Sequence, residues 1–185
     1  MNISKILIYS TLLISIFCST CTDKAPVEKD EDCNGLAVED DDKVCVRDSN
    51  ENTCVETDVC TNVKYTATPE ICYKLQISGE GDETYACSKN SAEGSTDCIE
   101  TNKCKEILYV KEEGDCSKFS ISEENKDTHA CIKNKESDAK NCIETNVCLE
   151  VTVGATDEIC SKLNATSPKI CVKEESGVCK ETDIC

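Results

Sequence analysis

Cysteine is the side chain here with the most chemistry to offer, at eighteen of 185 residues. Thiols can pair as disulfides, hold a soft metal ion or run a redox cycle, and spacing separates these uses. Structural zinc sites and dithiol redox centres need cysteines only a few residues apart. The chain's only C-x-x-C is Cys18 to Cys21, inside an apolar leader, and the next tightest spacing is C-x5-C. Zinc and a thiolate metal cluster are therefore disfavoured. A cysteine content near one in ten in a short chain reads as a disulfide scaffold.

Other reactive side chains are sparse. His129 is the only histidine, and no nucleophile stands at a suggestive spacing from it. In the neighbouring repeat the aligned residue is Tyr85, so His129 reads as an exposed loop residue. No nucleophile, base and acid set emerges, and the chain reads as a non-enzyme that needs no cofactor. The acidic run Glu39-Asp40-Asp41-Asp42 lacks the glycine and spacing of an EF-hand loop. It reads as a solvated loop, with weak calcium binding as the sharper alternative. Asn164-Ala165-Thr166 is an N-glycosylation sequon and makes Asn164 the candidate acceptor.

Acidic residues outnumber basic ones 37 to 20, for a net charge of −17. A chain so acidic offers phosphate no basic face, which excludes nucleic acid as a partner. There is no Trp, and aromatics make up only 4%. Such a composition would suit a disordered chain if the cysteines were absent.

Residues 1–21 read as a secretory signal peptide: Lys5, then the apolar run Ile6 to Phe17, then small residues. The run is too short to cross a bilayer. Cleavage after Cys21 would leave sixteen cysteines, an even number, and cleavage after Cys18 would leave an odd thiol. Export to an oxidising compartment, secreted or at the cell surface, follows. The C-terminus carries no hydrophobic tail of the kind a GPI anchor needs.

After an acidic segment 22–32, the sixteen cysteines divide into four units. They are Cys33, Cys45, Cys54 and Cys60 (33–60); Cys72, Cys87, Cys98 and Cys104 (72–104); Cys116, Cys131, Cys142 and Cys148 (116–148); Cys160, Cys171, Cys179 and Cys185 (160–185). Five residues always separate third from fourth cysteine, and connectors 61–71, 105–115 and 149–159 are always eleven long. The other gaps vary, which marks them as loops on a fixed frame. Laid ungapped, residues 72–115 and 116–159 share 17 identities. Each unit repeats C-x-E-T-[DN]-x-C, giving Glu56 and Thr57, Glu100 and Thr101, Glu144 and Thr145, Glu181 and Thr182. The pair reads as frame: threonine in a strand, with the acid facing solvent.

Apolar residues two apart predict strands: Leu36 and Val38, Leu75 and Ile77, Phe119 and Ile121, Leu163 and Ala165. The connectors show the same alternation at Val63 and Tyr65, Ile107 and Tyr109, Val151 and Val153. K-I-C-V-K, the turn Glu175-Ser176-Gly177 and V-C-K-E-T predict a hairpin, with residues 91–96 as the equivalent turn in the second unit. A short helix over 158–165 competes with the strand reading there. The expected fold is small, disulfide-rich and mainly β, an elongated tandem array of four units with three or four short strands each. Units this small seldom fold on burial alone, so disulfides must supply the difference. Four cysteines allow three pairings, and pairing within each unit is the simplest.

Periodic cysteines, Thr- and Asn-bearing spacers and an exported acidic precursor resemble the cysteine-rich surface antigens of ciliates, including the immobilization antigens. The resemblance covers residues 33–185 and implies a coat or display role without enzymatic activity. Two functions follow as expectations. The first is an extracellular structural or interaction protein that binds protein partners or itself. The second is a secreted binder, such as a protease inhibitor or toxin-like effector, acting through a loop among 76–86, 88–97, 120–130 or 132–141.

Overall fold

The computed structural model describes residues 20–21, 26–48, 50–65, 68–78, 83–136 and 138–184. The described chain is rich in disulfides and carries most of its regular structure as four separate antiparallel two-stranded sheets. They are β1 (Val44–Asp48) with β2 (Thr53–Thr57), β3 (Ala86–Lys89) with β4 (Cys98–Thr101), β5 (Ala130–Lys133) with β6 (Cys142–Thr145), and β7 (Lys169–Lys173) with β8 (Cys179–Asp183). The hairpin expected around Glu175-Ser176-Gly177 is β7–β8. Its turn closes with the Glu174 N–H donating to the Val178 carbonyl, and Gly177 takes the left-handed φ of +79° that the reversal needs. Gly94 does the same within 91–96.

Each module adds one further contact to its hairpin in place of a third or fourth strand. Single parallel bridges join Thr20 to Ala37, Val59 to Gln76, Lys103 to Ser120 and Val147 to Asn164. Leu36, Leu75, Phe119 and Leu163 stand beside these bridge residues and fill the cores, the last three at 7% exposure or less. The alternation two apart thus reports short extended pieces, each paired through a single residue.

The connectors are not strands. They open with 3-10 turns at Cys60–Asn62, Cys104–Glu106 and Cys148–Glu150. The elements that follow them are α1 (Pro69–Tyr73), a 3-10 stretch at Glu113–Lys118, and α2 (Asp157–Ser161). The reason is local. Val63, Ile107 and Val151 turn inward, and each carbonyl accepts one N–H, from Cys98, Cys142 and Cys179 respectively. That single bond starts no ladder. The short helix competing for 158–165 exists, but it lies at Asp157–Ser161 and runs up to the cysteine instead of away from it. Thr156 starts it by accepting the Ile159 N–H, and Pro69 starts α1 at a position where a missing N–H costs nothing.

The disulfides shift the phase of the repeat. The pairs are Cys21–Cys45 and Cys33–Cys54, Cys60–Cys87 and Cys72–Cys98, Cys104–Cys131 and Cys116–Cys142, Cys148–Cys171 and Cys160–Cys179. Pairing within units 33–60, 72–104, 116–148 and 160–185 is therefore corrected. Only the first-to-third bond of each such unit survives, and the fourth cysteine of each of the first three bonds forward across the connector. The working modules run Cys21 to Cys54, Cys60 to Cys98, Cys104 to Cys142 and Cys148 to Cys179, called modules 1 to 4. In each, first pairs with third and second with fourth. Cys21 belongs to this frame, so cleavage after Cys21 would strand Cys45. Cys185 lies outside the described residues.

Strand pleat explains the pairing. C-x-E puts the fourth cysteine of a module and the motif glutamate on one face of the second strand. The register sets the third cysteine directly opposite that glutamate in all four hairpins: Cys45–Glu56, Cys87–Glu100, Cys131–Glu144 and Cys171–Glu181. Both disulfides therefore hang from one hairpin face, toward their own module. The opposite face carries the residues flanking the third cysteine. Val44 and Val46 pack on the core of module 2, Ala86 on that of module 3, and Ala130 and Ile132 on that of module 4. The cores of modules 2, 3 and 4 are each completed by the hairpin before them. Loops of 19 to 27 residues are closed by these bonds, each contributing about 3–4 kcal/mol by restricting the unfolded chain.

Candidate functional site

The Glu-Thr motif is a joint, and its glutamate does not face solvent as the sequence suggested. Each glutamate turns inward and holds the loop that follows the second cysteine of its module. Glu56 accepts the Glu39 N–H at 2.8 Å. Glu100 accepts both the N–H and the hydroxyl of Ser78, and Glu181 both those of Thr166. Glu144 takes the N–H and hydroxyl of Ser122 and the amide of Asn125 as well, with Lys105 at 3.1 Å. The side chains of Glu56, Glu144 and Glu181 are 13%, 3% and 10% exposed. Burial alone would raise the Glu144 carboxyl, but the donors from Asn125, Ser122 and Lys105 outweigh it and lower it from 4.5 to about 2.

The threonine works on the other face. Thr57, Thr101 and Thr145 are buried at 8%, 5% and 6% exposure. Their hydroxyls accept the N–H two residues on, from Val59, Lys103 and Val147. Thr101 and Thr145 also donate to Glu106 and Glu150 in the next module's first turn. That bond is the main reason the Glu106 carboxyl sits below its ordinary value, ahead of the opposing effect of burial and the help of Lys103. The motif thus ties each loop to its own hairpin and each hairpin to the turn that follows. Thr182 on the last hairpin is only half-buried.

Three junctions connect the modules. At the first, Lys74 donates to the Asp41 carbonyl at 2.9 Å, inside the exposed acidic run 39–42. At the second, the Ser88 hydroxyl donates to the Glu106 carbonyl and accepts the Leu108 N–H. Tyr73 meets Tyr109 there edge to face at 5.1 Å, with Asp115 near the Tyr73 hydroxyl. Desolvation first, then the Asp115 charge, raises that phenol. At the third, Lys162 donates to the Lys126 carbonyl at 2.8 Å, and Gly154, at φ +71°, lies against Ser117. A Cβ on Gly154 would meet Ser117 at 2.7 Å.

A groove of about 410 Å³ lies along the first junction, lined by Asp30, Arg47, Glu56, Lys64 and Tyr65 among others. Arg47 is already engaged there by Asp30 and Asn52. His129 is half-buried with its Nδ1 at 2.8 Å from the Thr128 hydroxyl. Asn164 is exposed beside its bridge to Val147, and its sequon threonine is held by Glu181. Three sulfurs lie within 4.8 Å of one another in modules 1, 2 and 4, all of them in disulfide bonds.

Sequence reasoning missed Cys21 and the hydroxyl residues Ser78, Ser122 and Thr166. The signals were present. Eleven residues separate Cys21 from Cys33, the same length as every connector, and each hydroxyl lies six residues after a second cysteine. Among the described residues no helix is long and apolar enough to cross a membrane. Set against known proteins, the chain matches no family, no curated protein and no solved structure.

Proposed function

We propose that this chain is an exported, non-catalytic structural protein, a repeat element of an extracellular coat or surface assembly. The observation that carries the reading is the reuse of one joint. Modules 2, 3 and 4 each seat on the hairpin before them through the same apolar face, the same threonine and the same cysteine pair. Such nearest-neighbour stacking builds a rod of fixed repeat with equivalent faces for protein partners or for itself. Eight disulfides suit an oxidising compartment. The resemblance to ciliate surface antigens favours display over catalysis.

Labelling of unpermeabilised cells, paired with X-ray scattering of the purified chain, tests this. Surface staining and an extended scattering profile are expected. An intracellular, reduced pool or a compact globular profile would overturn the reading, and stoichiometric inhibition of a protease would move the function to a loop.

A further inference from the structure

The parallel bridge of each module pairs one residue with the turn that opens the module. In chain order the bridged residue is Ala37, Gln76, Ser120 and Asn164. Module 4 alone has an asparagine there. It heads Asn164-Ala165-Thr166, the one sequon for N-linked sugar beyond residue 21. Asn164 is exposed. The facing turn differs as well. Where module 3 has Lys103 and Lys105, module 4 has Val147 and Leu149, 43% and 56% exposed. Paired residues share a face, so Asn164 and Val147 direct their side chains to the same side.

The folded module holds this sequon shut. The Asn164 N–H donates to the Asn146 carbonyl at 2.7 Å, and the Asn164 carbonyl accepts the Cys148 N–H at 3.0 Å. The Thr166 N–H and hydroxyl both donate to Oε1 of Glu181, at 2.8 and 3.0 Å. A transferase that reads the sequon must reach that hydroxyl and turn the Asn164 amide toward its donor. Glu181 lies on β8, fifteen residues later, with its side chain 10% exposed. Its hairpin is fastened by Cys148–Cys171 and Cys160–Cys179.

We propose that Asn164 carries an N-linked oligosaccharide, attached before module 4 closes, and that this sugar covers Val147 and Leu149. The inference rests on the exported role proposed above. Nδ2 of Asn164 attacks the anomeric carbon of an oligosaccharide carried on a polyisoprenyl diphosphate. The C–N bond forms, the C–O bond to the diphosphate breaks, and the electron pair leaves on the diphosphate oxygen. The amide gives up one proton to solvent, and nothing is oxidised or reduced. When β8 joins, Glu181 captures Thr166 and the sugar is left beside the turn. There the apolar faces of its rings meet two aliphatic side chains that water would otherwise wet. Module 3 needs no such cover, because Lys105 at the position of Leu149 pairs with Glu144 at 3.1 Å.

The test translates the full chain in the presence of rough microsomes. Protection from added protease reports export, and an endoglycosidase-sensitive shift reports sugar. Wild type should be protected and shifted, whereas Asn164→Gln and Thr166→Ala should be protected and unshifted. A protected wild type with no shift, or a shift that survives in Asn164→Gln, would overturn the site and leave the exported role standing. An unprotected chain would overturn both. The order of events is read on purified, unglycosylated chain offered to the transferase with its lipid-linked donor. The reduced chain should accept sugar several-fold better than the oxidised one, and equal acceptance would overturn the order. Removing the sugar from the native glycoprotein should lengthen its retention on a hydrophobic column in wild type and not in Leu149→Lys. Unchanged retention in wild type would overturn the cover.

Discussion

Hairpins β5–β6 and β7–β8 share a register and a motif, yet the same positions live in different solvents. On β5, Ala130 and Ile132 are 3% and 6% exposed, and Thr145 across from them is 6% exposed. On β7, Ile170 is 45% exposed, and Val172 and Thr182 are half-buried. The hairpin's inner face is satisfied by its own disulfides in both cases. Its outer face is satisfied only by the module that follows. Stability here divides into a covalent part inside each module and an apolar part between modules.

The covalent part should dominate. Replacing Cys116 and Cys142 together by alanine removes one loop closure and should cost module 3 about 3–4 kcal/mol. Urea denaturation should show that loss, and a cost under about 1 kcal/mol would mean the frame holds without it. The junction comes next. Ile132→Ala empties a buried site and should cost about 2–4 kcal/mol. Ile170→Ala should stay within about 0.5 kcal/mol. Equal costs at the two sites would erase the distinction between covered and open faces.

Acid should loosen the loop joint of module 3. The Glu144 carboxyl sits at about 2 against an ordinary 4.5. The sign follows from linkage: a depressed carboxyl stabilises the fold above its unfolded value and loses that contribution as pH falls through its folded one. The contribution is about 3 kcal/mol, present above pH 4.5 and gone below about pH 2. Glu144→Gln should unfold at a lower urea concentration near neutrality, with the gap to wild type closing across that window. A constant gap would contradict the assignment. Smallest should be the glycines. Gly154→Ala forces both a left-handed residue and a clash with Ser117, at about 1–3 kcal/mol. Gly177→Ala, with nothing within 4 Å of the new methyl, should cost only the conformational strain, about 1 kcal/mol.

The frame was legible where spacing is invariant. The C-x5-C interval, the hairpin at 175–177 and the apolar residue three past each second cysteine all stand where their patterns put them. The phase was not legible, because intervals of five and eleven alternate along the chain and any starting cysteine yields a regular repeat. Counting an even set after a cleaved leader then chose Cys33 over Cys21. The direction of the motif glutamate was hidden for a different reason. Burying a carboxylate requires several donors, and Ser122, Asn125 and Lys105 reach Glu144 from sequence distances of 22, 19 and 39 residues. Alternation in the connectors misled because Val63 and Ile107 turn inward while Tyr65 and Tyr109 serve the junctions or the surface.

Disulfide mapping of the unreduced chain tests the central claim, that modules begin at each C-x5-C's second cysteine and bond first to third, second to fourth. Peptides linking Cys60 to Cys87, Cys104 to Cys131 and Cys148 to Cys171 are the expected result. Peptides linking Cys87 to Cys104 or Cys131 to Cys148 would contradict it, and would return the chain to units closed upon themselves.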